Sequence, residues 1–155
     1  RPGRERLEGF LAAMAEFGLP VDEALVRADD QSIAFGREVT RAMMTGPEPP
    51  TALIAGANQL TMGAYQALRE LEISIPDDLS FVGSDDPHTA SLLWPPVTVI
   101  YRNMELVGRH AADLMLQRLR GAAPPGQRIV TVPSEIALRS STAPPRGWPL
   151  RRRRV

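Results

Sequence analysis

Cysteine is absent from all 155 residues. Disulfide scaffolding, thiolate zinc sites and thiol nucleophiles are therefore excluded, although the absence says little about redox compartment. Lysine is missing as well, because all 18 basic residues are arginine. Schiff-base chemistry and lysine-dependent phosphate loops go with it. No apolar run approaches the roughly 18 residues of a membrane span. The opening residues, RPGRERLEGF, are charged where a secretion signal would be apolar, so the expectation is a cytoplasmic chain with no membrane partner. Nucleophile elbows, HExxH and glycine-rich phosphate loops are also missing. His88 and His110 are the only histidines, and neither has a metal partner at suitable spacing. The expectations are no enzyme, no metal and no cofactor.

What is present is an ordinary globular composition, 43% hydrophobic, enough for one domain with a core or for parts of two smaller lobes. The zero net charge conceals an uneven distribution, since Arg151–Arg154 supply four of the 18 basic residues and leave the body mildly acidic. The bias towards Arg, Ala and Pro points to a GC-rich genome more than to a function. The Pro- and Arg-rich terminus, residues 143–155, reads as a disordered tail.

Along the chain, Leu7, Phe10, Leu11, Met14 and Phe17 recur at helical spacing and Gly18 follows as a stop. A second helix is predicted from the N-cap Ser32 to Gly46, where PEPP forbids continuation. Between them Leu25–Arg27 reads as a short strand leading into the acidic turn at Asp29 and Asp30. TALIAGA, residues 51–57, reads as a buried strand and residues 60–71 as a helix. LSFVG, the loop SDDPHTASLLWPP, the strand VTVIY and a long helix ending at Gly121 follow, with RIVTVP and EIALR as closing strands. Alternation of this kind predicts an α/β fold with a largely parallel sheet flanked by helices.

Asp85 and Asp86 stand directly after the strand LSFVG and Ser84. A buried carboxylate costs several kcal/mol unless paired, so the pair belongs at a strand end facing a cleft. Open α/β sheets bind ligands beyond the carboxyl ends of their strands, and Asn58 and Gln59 mark a second polar strand end. Two readings stand for these groups: a ring of donors and acceptors for a hydroxyl-rich ligand, or capping, with Asn58 starting the next helix and an aspartate holding loop amides. A phospho-acceptor domain also places paired aspartates at a strand end, but it needs a later lysine that this chain lacks. Adjacent carboxylates diverge too much for glycoside hydrolysis.

The order of motifs is more specific than any single one. RERLEGF, PPTALIAGANQLTMGAYQALREL, IPDDLSFVGSDD, WPPVTVIYRNMELVGRHAADLMLQRL and VPSEIALRSST occur in succession. Together they resemble the effector-binding core of the lactose-repressor family of bacterial transcription regulators, over residues 4–142. The resemblance implies a periplasmic-binding-protein-like fold of two α/β lobes with a small ligand between them. One lobe would be nearly complete, residues 1–96 and 128–142, and residues 97–127 would be the returning segment of the other.

Carried onto this sequence, the family's ligand-binding arginine falls on Arg6, and the first aspartate of its Gly–aromatic–Asp–Asp segment on Asp85. The paired polar positions before the helix fall on Ala57 and Asn58, and the aromatic stacking position on Gln31. Ala57, Gln31 and Ser84 depart from the family pattern, the last replacing an aromatic. His88 lies among the loop polars within reach of a ligand, and Trp94 is placed either to contact it or to pack the lobe boundary. The resemblance implies a non-catalytic, effector-sensing chain that takes a carbohydrate and forms a homodimer. DNA would be reached only through a helix-turn-helix domain not included in these residues. The alternative is a solute-binding receptor of a sugar transport system.

Overall fold

The computed structural model describes residues 2–85, 87–122, 126 and 128–145. Five helices and four strands occur among them: α1 Pro2–Glu16, α2 Ile33–Met44, β1 Ala52–Ile54, α3 Asn58–Glu70, β2 Ser80–Ser84, α4 Pro87–Leu92, β3 Thr98–Arg102, α5 Met104–Leu119 and β4 Ser134–Ala137. The strands form one sheet in the order β1-β2-β3-β4. β1, β2 and β3 run parallel, with Leu53 opposite Phe81 and Ser84 opposite Ile100. β4 closes the edge antiparallel, Ile136 facing Ile100.

Local chemistry accounts for most element ends. The Ser32 side chain accepts from the Phe35 amide at 3.2 Å and starts α2. Gly18 takes φ +64° after α1. The core lies on α3, β2 and β3, where Leu68, Leu79, Phe81, Val97 and Val99 are fully buried. α2 packs against α3 through small residues, and Gly36, Thr40, Gly63 and Ala64 are all buried there. Around this contact Arg37 and Arg41 both donate to Glu70, at 2.9 Å and 2.7 Å. Those hydrogen bonds, Arg37's first, hold the Glu70 carboxyl below the usual range.

Ser141 supplies an unexpected tie. It is completely buried and lies between β2 and β3 near their amino ends. Its backbone oxygen accepts from the Phe81 amide at 2.7 Å. Its hydroxyl donates to the Phe81 carbonyl at 2.5 Å and accepts from the Thr98 amide at 2.8 Å. Alanine at 141 would strand a buried donor and a buried acceptor, so Ser141→Ala should cost about 2 kcal/mol. The urea midpoint should fall with no change in slope, and an unchanged midpoint would contradict this account.

Several sequence expectations need correction. Leu25–Arg27 is not a strand: Glu23–Leu25 forms a 3-10 turn, because the Asp22 carboxylate accepts from the Ala24 amide at 2.8 Å and curls the chain. Residues 128–133 contain no strand either; of the two expected closing strands only Ser134–Ala137 pairs, antiparallel to β3. TALIAGA yields only the strand Ala52–Ile54, and this is not buried: at the sheet edge Ile54 stays 55% exposed. Part of the loop SDDPHTASLLWPP is the helix α4, whose first position suits a proline that has no N–H to satisfy. Thr98–Arg102, which opens the segment expected to return to the other lobe, pairs parallel with β2. Of the predicted tail, only residues 143–145 are described; there Ala143 is tied to the Ser80 hydroxyl, and residues 146–155 lie outside the described residues.

Candidate functional site

The carboxyl ends of β2 and β3 carry a cluster of three charged side chains. Asp85 follows β2 with φ +79°, a left-handed conformation that aspartate tolerates better than most residues. Its amide donates to the Ile100 carbonyl at 2.8 Å, which anchors the turn to β3. Arg102, the last residue of β3, donates through Nη2 to Asp85 Oδ1 at 2.9 Å. Arg6 approaches from the first turns of α1, with Nη2 lying 3.7 Å from Asp85 Oδ2. Its Nη1 donates to the Gly56 carbonyl at 2.7 Å, which ties α1 to the loop between β1 and α3. The three side chains remain 34%, 30% and 43% exposed for Arg6, Asp85 and Arg102. They are thus held in place and open to solvent at once.

Two of the residues singled out in the sequence, Arg6 and Asp85, therefore meet. Arg102 joins them and was not foreseen. The available signal was a charged residue ending an otherwise apolar strand, in parallel register with the strand that leads into Asp85. Ala57 is buried, and its carbonyl accepts the Thr61 hydroxyl at 2.9 Å. That hydroxyl also receives the Ser84 amide at 2.9 Å. Ser84 is buried too, with its own hydroxyl committed to the Ala55 carbonyl at 2.7 Å. Where the family pattern has an aromatic, this chain has a small group that knits β1, β2 and α3 together.

Asn58 is exposed as the first residue of α3, not its cap; the cap is Ala57, which makes no side-chain bond. Asn58 thus starts α3 without capping it. Gln31 is exposed beside the start of α1, its Nε2 only 2.8 Å from where a β-carbon on Gly3 would stand. His88 is exposed on α4. Trp94 is 78% exposed, and Tyr65 fixes its backbone by donating to its carbonyl at 2.9 Å and accepting from its amide at 3.1 Å. Among the described residues no group of three or more His, Asp or Glu side chains is placed to hold a metal ion. No helix among them is long and apolar enough to cross a membrane.

The family model for a periplasmic binding protein-like domain matches residues 1–142. The chain belongs to that family. Within it, the similarity runs to regulators of the lactose-repressor type. The ribose operon repressor of Escherichia coli (strain K12) is 32% identical over 132 residues, 85% of this chain and 40% of the repressor. The solved complex of the transcriptional regulator CelR with cellobiose is 30% identical with a TM-score of 0.78, covering 88% of this chain and 42% of that one. The Lac repressor bound to ONPG in the repressed state is 28% identical with a TM-score of 0.75, covering 90% and 41%. The chain thus spans about two fifths of the length of these regulators. The observed sheet, three parallel strands with an antiparallel edge and helices packed on it, is the architecture the motif order implied.

Proposed function

We propose that this chain is the small-molecule-sensing part of a bacterial transcription regulator, acting in the cytoplasm without catalysis. The observation that carries the reading is the Arg6–Asp85–Arg102 cluster at the carboxyl edge of the parallel sheet, where open α/β folds bind their ligands. The effector is a sugar or related polyol, in keeping with relatives named for ribose and solved with cellobiose. Asn58, Gln31, His88 and Trp94 are exposed and complete the candidate set, while Ala57 contributes backbone alone. In this reading the sheet belongs to one lobe, and α5, none of whose residues is buried, belongs to the other. DNA is contacted only through a domain outside these residues, and ligand closure shifts a dimer between operator-binding states.

Titration calorimetry with ribose and cellobiose tests the reading. Binding by the wild type is expected to weaken about 10- to 100-fold in Asp85→Ala, the worth of one charge-assisted hydrogen bond, with the circular dichroism unchanged. Equal affinity in wild type and variant would remove Asp85 from the site.

A further inference from the structure

Two buried hydroxyls behind the charged cluster replace a rung of the sheet. The Ser80 amide donates to the Thr51 carbonyl and the Ala55 amide to the Val82 carbonyl, as a parallel β1–β2 ladder requires. Carried to the end of β2, the same offset would join the Ser84 amide to the Ala55 carbonyl. In its place the Ala55 carbonyl accepts the Ser84 hydroxyl at 2.7 Å, and the Ser84 amide donates to the Thr61 hydroxyl at 2.9 Å. Thr61 and Ser84 are both buried. With side chains standing in for the rung, the chain after β1 parts from β2 while every group keeps a partner. Thr61 is itself held firmly: its hydroxyl donates to the Ala57 carbonyl at 2.9 Å, and its methyl carbon lies 2.5 Å from where a β-carbon on Gly83 would stand. That contact and the branched β-carbon fix its rotamer.

The parting of the strands has a direct consequence for the cluster. The Gly56 carbonyl, next after Ala55, is left to Arg6, which donates to it at 2.7 Å. Asp85, next after Ser84, stands 3.7 Å from the same guanidinium. One arginine can span both chain ends only while they keep this separation. We propose that Thr61 and Ser84 are the positioning residues of the site: they hold the ends of β1 and β2 at the distance that Arg6 bridges, and they set where Asp85 points. What the site binds rests on the effector-binding reading above; the geometry does not.

Hydrogen exchange followed by NMR on the whole chain, without ligand, tests the positioning. Thr61→Val keeps the shape and removes the hydroxyl. The Ser84 and Asp85 amides are then expected to exchange about tenfold faster relative to the Phe81 amide, which is bonded to Ser141 at the other end of β2. Thr61→Ser, which keeps the hydroxyl, should restore most of the protection. Ser84→Ala, which leaves Thr61 in place, is a second variant with the same expectation for Asp85. Equal acceleration at all three amides, or none, would overturn the proposal. Calorimetry with ribose and cellobiose tests the consequence for binding. Thr61→Val should weaken it about tenfold, whereas Ser141→Ala, which removes buried bonds at the far end of the same strands, should lower the melting temperature and leave affinity unchanged. Equal weakening in the two variants would make the effect one of stability and overturn the proposal. No heat from the wild type with either sugar would count against the effector reading alone, and the exchange ratios would still decide the positioning.

Discussion

Alanine at position 63 is expected to destabilise the chain by about 3 kcal/mol or more, since overpacking against rigid neighbours leaves no room for relaxation. A β-carbon there would stand 2.1 Å from the Ile33 carbonyl oxygen and 2.8 Å from the Arg37 amide. Both atoms are helix backbone, so the clash can be relieved only by separating α2 from α3. That movement would open the buried contact of Gly36 and Thr40 with α3 and break the Arg37 and Arg41 bonds to Glu70. Gly9 of α1 provides the opposite case. Nothing lies within 4 Å of its missing β-carbon, so Gly9→Ala should stabilise by about 0.5–1 kcal/mol through helix propensity alone. Chemical denaturation of the two variants should show shifts of opposite sign; equal shifts would refute the close-packed reading of α2 and α3.

The second large effect concerns association. The apolar stripe of α5 includes Leu114, Met115 and Leu119, and the last two are 64% and 77% exposed. Burying such side chains contributes about 1.5–3 kcal/mol each, and a continuous exposed stripe marks an interaction surface. The purified chain is expected to form a homodimer at micromolar concentration, with α5 in the interface. Replacing Met115 and Leu119 together by glutamate should shift the sedimentation coefficient to that of a monomer while helix content stays constant. A monomeric wild type would show that this face needs no partner.

Much of this architecture was readable because its signals are local. Ser32 caps a helix by its own hydroxyl, proline bars continuation after Gly46, and alternating apolar runs announce strands. Asp85 was legible for a related reason, as an acidic residue at the end of an apolar strand. Arg102 and Ser141 were not, because their roles depend on which strands become neighbours. Arg102 matters only when β3 lies beside β2, and Ser141 only when a segment 60 residues from Phe81 returns to it. The supposed strands at Leu25–Arg27 and residues 128–133 failed for the converse reason. Their side chains suit a strand, but a strand also needs a pairing partner, and neither segment lies against an edge of the sheet in hydrogen-bonding register. Arginine and serine are also common on surfaces, so composition gives no warning that these two are placed for a purpose.

The Ser141 tie bears on the order in which the chain becomes whole. During synthesis β2 and β3 leave the ribosome well before residue 141, and until it arrives the Thr98 amide lacks its partner and Phe81 has none of its bonds to Ser141. Closing so long a loop is slow compared with local helix formation. The middle of the sheet therefore waits for the segment that carries Ser141, and a ribosome stalled short of it would present an incomplete sheet with its helices already formed.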